Sequence, residues 1–189
     1  MPFTISIAGL KISISAHYPS VKQYCHEYLT ESSSHEINVE LTQEEIDYEK
    51  RHALSIEKKT GKVVSDEYLE TIALYRKIAE LVPSYDTFLF HGSALSLDGD
   101  GYLFAAVSGT GKSTHARLWR ERFGDRVAMV NDDKPLIRVT DKEALVCGTP
   151  WNGKHRLSSP ICVPLRGLCL LERDTENHIE PISRREAFP

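Results

Sequence analysis

Seven consecutive residues, Ser108-Gly109-Thr110-Gly111-Lys112-Ser113-Thr114, have the types and order needed to hold a string of phosphates. Two glycines beside a single lysine let successive backbone N–H groups converge on one small concavity. An anion placed there would also meet the positive end of the helix that follows. In that arrangement Lys112 reaches the β- and γ-phosphates of a nucleoside triphosphate, and the Ser113 hydroxyl holds Mg²⁺. The segment departs from G-x-x-x-x-G-K-[ST] at one place, because Ala106 stands where the first glycine would be. Alanine adopts ordinary strand angles, so the expectation is a tight loop, not a broken one.

A second group of residues lies one helix and one strand further on. The apolar run Val127-Ala128-Met129-Val130 ends in Asn131-Asp132-Asp133, which puts carboxylates at a sheet edge. There they can face a metal ion or an attacking hydroxyl. Asp132 is expected as general base and Asp133 beside Ser113 at the metal. The tight turn Asp98-Gly99-Asp100-Gly101 predicts a register in which His91 lies across from Ser108, with Gly92 allowing close backbone approach. A third piece, 148–156, carries Trp151, Lys154, His155 and Arg156; Lys154 and Arg156 are candidates for contact with the transferred group or the substrate. Each has a plainer alternative: a solvated acidic turn, a structural histidine, an exposed loop anchored by its tryptophan.

These residues need elements to position them. Tyr102 to Val107 reads as a short buried strand entering the glycine-rich loop. Lys112 to Phe123 reads as the helix leaving it, with Ala116, Trp119 and Phe123 inward and Arg117, Arg120 and Arg122 turned to water. Thr87 to Leu97, Val127 to Val130, Leu136 to Val139, Ala144 to Cys147 and a buried Gly167 to Leu171 are further strands. So many hairpins around one helix depart from simple βα alternation and predict a mixed α/β, strand-rich core over 85–189.

Residues 1–84 read as a small accessory α+β region. Phe3–Ile7 and Lys11–Ile14 form a hairpin about Ala8-Gly9, and 36–41 alternates as a strand. Thr42 and Glu45 have the spacing of a capping box, although 52–56 also reads as a strand with a turn at 59–62. A helix over 66–82 follows Ser65, with Leu69, Ile72, Tyr75, Ile78, Ala79 and Val82 as its apolar stripe and Pro83 as its stop. That stripe is expected to lie on the sheet of the second half.

Composition narrows the class. With 189 residues, 41% hydrophobic and 26% charged, the chain has room for one core or a core plus a small accessory unit. A net charge of −4 argues against a general nucleic-acid binder. No apolar run approaches the roughly 20 residues that span a bilayer, and the N-terminus lacks a basic stretch ahead of an apolar one. The four cysteines, Cys25, Cys147, Cys162 and Cys169, show no C-x-x-C pairing. They read as buried free thiols in a reducing cytoplasm.

Taken together, His91-Gly92, the strand–turn–strand after it, the motif at 108–114 and Val130-Asn131-Asp132-Asp133-Lys134 resemble the catalytic domain of HPr kinase/phosphorylase. They are also similar to the wider phosphoenolpyruvate-carboxykinase-like nucleotide fold. The likeness spans roughly residues 87 to 140 and weakens toward Glu172. It implies a P-loop core, ATP and Mg²⁺ as cofactors, Ser108 to Thr114 on the nucleotide and Asp132 as base toward a serine-type hydroxyl. It further implies that Lys112 sits on the phosphates and that His91 assists. Ala106 and Thr114 stand where that kinase has Gly and Glu, and its signature peptide is not evident. The loop at 149–154 is instead similar to that of small HPr-kinase-related proteins encoded beside peptide-tailoring systems. Relatives run longer, so a C-terminal continuation is expected. The reading is an ATP-dependent kinase with a protein, peptide or small-molecule acceptor, with a homo-oligomer left open. Two alternatives remain: a carboxykinase-like enzyme acting on a small carboxylic acid, and a nucleotide-binding module without turnover.

Overall fold

The computed structural model describes residues 2–60, 63–153 and 155–187. β1 (Pro2–Ile7) and β2 (Leu10–Ser15) pair antiparallel about Ala8-Gly9, as the alternation predicts, and bury Ile5, Ile12 and Ile14. After α1 (Pro19–Tyr24), β3 (Leu29–Thr30) and β4 (Ile37–Glu40) complete a four-stranded sheet ordered β3-β1-β2-β4.

α2 (Gln43–Thr60) replaces the strand expected at 52–56. The capping box forms on both sides: Thr42 N–H donates to Glu45 Oε2 at 2.8 Å, and Glu45 N–H to Thr42 Oγ1 at 3.3 Å. Five alternating residues are too short a pattern to compete with a capped helix that also packs lengthwise on its neighbour. Lys59 and Thr60 end this helix; the rest of the expected turn lies outside the described residues.

α3 (Asp66–Leu81) starts at Ser65, whose Oγ accepts from Tyr68 N–H at 3.3 Å. Its buried face is rotated from the expected stripe, because Leu74 is wholly buried while Ile72 and Ala79 are half-buried. The partner differs too. α3 packs on β4, α1 and α2, and its buried residues share one core with the four-stranded sheet. Leu136, Cys147 and Trp151 join that core from the second half of the chain. Buried Glu70 holds the turn into α1, accepting from the N–H groups of His17 (2.7 Å) and Tyr18 (3.0 Å).

The second half is built from β5 (Thr87–Leu89), β6 (Ser93–Leu97), β7 (Asp100–Ala105), α4 (Lys112–Phe123), β8 (Val127–Asn131), β9 (Leu136–Val139), β10 (Ala144–Cys147) and β11 (Cys162–Leu170), with a short α5 (Arg184–Ala187). Its seven strands run β5-β9-β10-β11-β7-β6-β8, antiparallel except for β7 beside β11. The protein is a mixed α/β, strand-rich fold.

Three expectations about these strands need correction. The run 87–97 is two strands, β5 on β9 and β6 on β7, broken at Phe90-His91-Gly92. There the N–H groups of Phe90 and Gly92 leave the ladder for the carbonyls of Pro135 and Asp133, both at 3.0 Å. A Cβ on Gly92 would lie 2.9 Å from the Phe104 carbonyl, so only glycine fits. The β6–β7 register is tighter than expected, with Ser93 opposite Phe104, so His91 is not across from Ser108. Finally, β11 starts at Cys162, and its outward residues Leu168 and Leu170 are nearly half exposed, not buried.

Cysteine usage is also corrected. Cys147 and Cys162 are register partners on β10 and β11, 4.1 Å apart at Cα, and form a disulfide. Strand pairing, invisible in the spacing of cysteines, brings them together. Cys25 and Cys169 are free, and burial pushes the Cys25 thiol up to about 12, which keeps it unreactive. Among the described residues no helix is long and apolar enough to cross a membrane.

Candidate functional site

β7 delivers the chain into the glycine-rich loop and α4 carries it away. Gly111, at φ 124°, is the N-cap and has no side chain with which to cap the helix. The amides of the first turn are therefore left for a ligand or water. Ala106 is not among the residues with positive φ; the left-handed conformations fall on Gly109 and Gly111, as the substitution requires. Ser108, Gly109, Ser113 and Thr114 are exposed, and Thr110 is half-buried. Lys112 Nζ donates to the Ala106 carbonyl at 3.0 Å, so its ammonium is already held against the loop. From the other side Arg173 donates to the Gly109 carbonyl at 2.6 Å. It can do so because β11 runs parallel to β7 and its chain emerges beside the loop, with Leu171 N–H on the Ala105 carbonyl at 2.8 Å.

The acidic segment is organised by Asn131, which is fully buried. Its Oδ1 accepts from the N–H groups of Asp133 (2.9 Å) and Lys134 (2.6 Å), turning the chain sharply after β8. Its Nδ2 donates to the carbonyls of Thr149 (3.0 Å) and Trp151 (3.2 Å). One side chain thus ties the two acids to the loop at 148–158. Asp132 is buried, and its Oδ1 accepts from Gly153 N–H at 2.5 Å. Asp133 turns the other way and lies 3.2 Å from His91 Nε2.

The two acids therefore part company. Asp132 lines a cleft of about 270 Å³ with Ser113, Ala116, Arg117 and Arg120 of α4, Ser93 and Met129 of the sheet, and His155 and Leu157. Asp133, expected with Ser113 at the metal, is paired with His91 and is not among the residues lining this cleft. Lys154 lies outside the described residues. Arg156 is exposed and lines a separate cleft of about 480 Å³ with Tyr24, Tyr28, Asn152 and Ser158. Among the described residues no cluster of three or more His, Cys, Asp or Glu could hold a metal ion. The Ser113 hydroxyl and the Asp132 carboxylate are hard oxygen donors on one cleft, a set that suits Mg²⁺ completed by phosphate oxygens.

The loop forming the far wall is anchored by Trp151. Its ring is buried against Tyr75, and its indole N–H donates to the Thr71 carbonyl of α3 at 2.7 Å. Trp151→Phe keeps most of the buried area and loses the donor. It should lower unfolding free energy by about 0.5–1.5 kcal/mol in urea titration, the net worth of one hydrogen bond, because the mid-helix Thr71 carbonyl keeps its partner within α3. No change would mean that the indole N–H does not anchor the loop.

On α4, His115 packs edge-on against Phe104, and its Nε2 accepts from the Trp119 indole at 3.1 Å. Burial holds the His115 pKa below the ordinary 6.5. The folded state thus favours the neutral ring, and the unfolded chain takes up the proton first as pH drops. This contribution is full above pH 6.5 and is lost as pH falls through the lower folded value. His115→Gln should flatten that part of the stability–pH curve relative to the parent; parallel curves would discount the effect.

Five residues here are absent from the sequence reading of the site: Asn131, Arg173, Ser93, Arg117 and Arg120. Asn131 had a usable signal, an Asx residue at a strand end before a turn. The others are brought in by strand order and helix placement alone.

No family model matches the chain, and no curated protein does. Among solved structures it is similar to the Hpr(Ser) kinase/phosphatase from Coxiella burnetii, at 21% identity and TM-score 0.27. That match covers 31% of this chain and 33% of the other, so this protein spans about a third of that chain's length.

Proposed function

We propose that the protein is an ATP-dependent phosphotransferase of the HPr-kinase-related type, with a P-loop nucleotide core over 85–189 and a hydroxyl as acceptor. One observation carries this reading: Ser113, at the start of α4 behind an uncapped glycine loop, shares a single cleft with the buried carboxylate of Asp132. A phosphate-holding turn and a base candidate facing one space are the parts that phosphoryl transfer needs.

Loop amides from Ser108 to Thr114 would bind the triphosphate, with Lys112 exchanging the Ala106 carbonyl for phosphate oxygens. Mg²⁺, held by Ser113 and by phosphate oxygens, would neutralise charge on the β- and γ-phosphates. Asp132 takes the acceptor's hydroxyl proton as the new O–P bond forms. The bond to the β,γ-bridging oxygen breaks, and its electron pair leaves with ADP. Gly153 N–H, donating to Oδ1, holds the Asp132 carboxylate in place at the edge of the cleft. Asp133 and His91 act together in positioning the turn, and Arg173 in holding the loop. Residues 1–84 would shape acceptor access through the loop at 148–158, which Trp151 fastens to α3.

Calorimetric titration of Mg-ATP, followed by phosphorus NMR of the products, tests the reading. Binding with ADP formation supports it. Tight binding without any ADP would reduce the protein to a nucleotide-binding module, and absence of binding would refute the site.

A further inference from the structure

The cleft beside Asp132, about 270 Å³ in volume, is lined by charged groups besides Asp132 itself. Its lining takes in Arg117 and Arg120 of α4, one and two turns after Ser113, and His155 of the loop at 148–158. At 1.5 Å of rise per residue, these arginines stand about 6 and 10 Å from Ser113 along the helix. Arg117 shares its charge with Glu121, but Arg120 has no ion-pair partner among the described residues. A second observation marks the cleft as built for a polar guest. Ser93, which also lines it, is wholly buried, and the Ser93 hydroxyl has no hydrogen-bond partner among the described residues. A buried hydroxyl without a partner costs roughly 1–3 kcal/mol until something fills the place.

Resting on the phosphotransferase reading above, we infer that the acceptor carries an anionic group, a carboxylate or a phosphate, roughly one to two helical turns from the hydroxyl that is phosphorylated. Arg120 and Arg117 hold that anion, His155 closes over it, and Ser93 bonds a polar atom of the acceptor between the two ends. Guanidinium groups suit planar, bidentate pairing with carboxylate or phosphate oxygens. A neutral polyol would leave them unmatched.

Three probes of one carbon skeleton test the inference on the nucleotide-free chain: glycerol, D-glycerate and glycerol 3-phosphate. Titration by NMR should show at least one of the two anions binding tenfold or more tightly than glycerol, and which one identifies the anion. The double variant Arg117→Gln/Arg120→Gln should bring that anion to the affinity of glycerol. Its fold is expected to survive, because both side chains are on the exposed face of α4. Mg-ATP affinity, measured separately, should be retained in this variant. Equal binding of all three probes, or anion binding indifferent to the arginines, overturns the inference while Mg-ATP binding keeps the kinase reading standing. A loss of Mg-ATP affinity in the double variant would assign the arginines to the nucleotide and overturn it as well. If the parent fails to bind Mg-ATP yet binds glycerate through the arginines, the anion site stands and the phosphotransferase reading falls.

Discussion

Lys112→Ala should weaken Mg-ATP binding by at least roughly tenfold and up to about two-hundredfold, while leaving the melting temperature near that of the parent. The affinity figure is the loss of one charge-assisted contact, about 1.5–3 kcal/mol. The stability expectation rests on the Lys112 side chain's single hydrogen bond, to the Ala106 carbonyl of its own loop. That carbonyl lies in a half-exposed stretch and can turn to water when the ammonium is removed. Lys112→Arg is a useful companion, because a planar fork cannot replace a compact point charge in a glycine cradle. Unchanged affinity in folded Lys112→Ala would remove the nucleotide site from the loop.

The second large effect belongs to Asp132→Asn. The amide oxygen can still accept from Gly153 N–H, so the wall of the cleft stays in place. What disappears is the group that takes the hydroxyl proton, worth about 10²–10⁴ in rate. ADP release under saturating Mg-ATP should fall by that factor, with a much smaller change in nucleotide affinity. Asp133→Asn should do less to the rate, because Asp133 faces His91 and not the cleft. If the two variants exchange their effects, the base is Asp133 and the segment after β8 turns on binding.

How much of this was legible beforehand follows from the range of each signal. The hairpin of β1 and β2, the Ser65 cap of α3 and the strand–loop–helix through Lys112 are written in contiguous residues, and each is present in the structure. So is the apolar strand that ends in acid. What failed was longer in range. The break at Phe90-His91-Gly92 arises because β5 finds β9 and not β7, a choice made by strand order. The turn built on Asn131 separates Asp132 from Asp133, and the break before β6 brings His91 to the second. The disulfide likewise depends on β10 lying beside β11. Asn131 was visible as a residue, but its bonds reach 18 and 20 positions along the chain, where no local pattern points.

The pairing of Cys147 with Cys162 has a consequence for how this chain can diverge. The segment between them leaves and re-enters the sheet at one point, and its return limb is tied to β8 from Leu157 to Ser159, so only the tip before Leu157 is free to change length. Trp151, Gly153 and Leu157 are committed to contacts, yet His155 and Arg156 at the tip are exposed, with Arg156 already in a left-handed turn. Extra residues inserted there would cost little in closure entropy, about 0.6 kcal/mol for each doubling of loop length. Selection could therefore lengthen or redecorate the tip while the glycine-rich corner at 108–114 stays untouched.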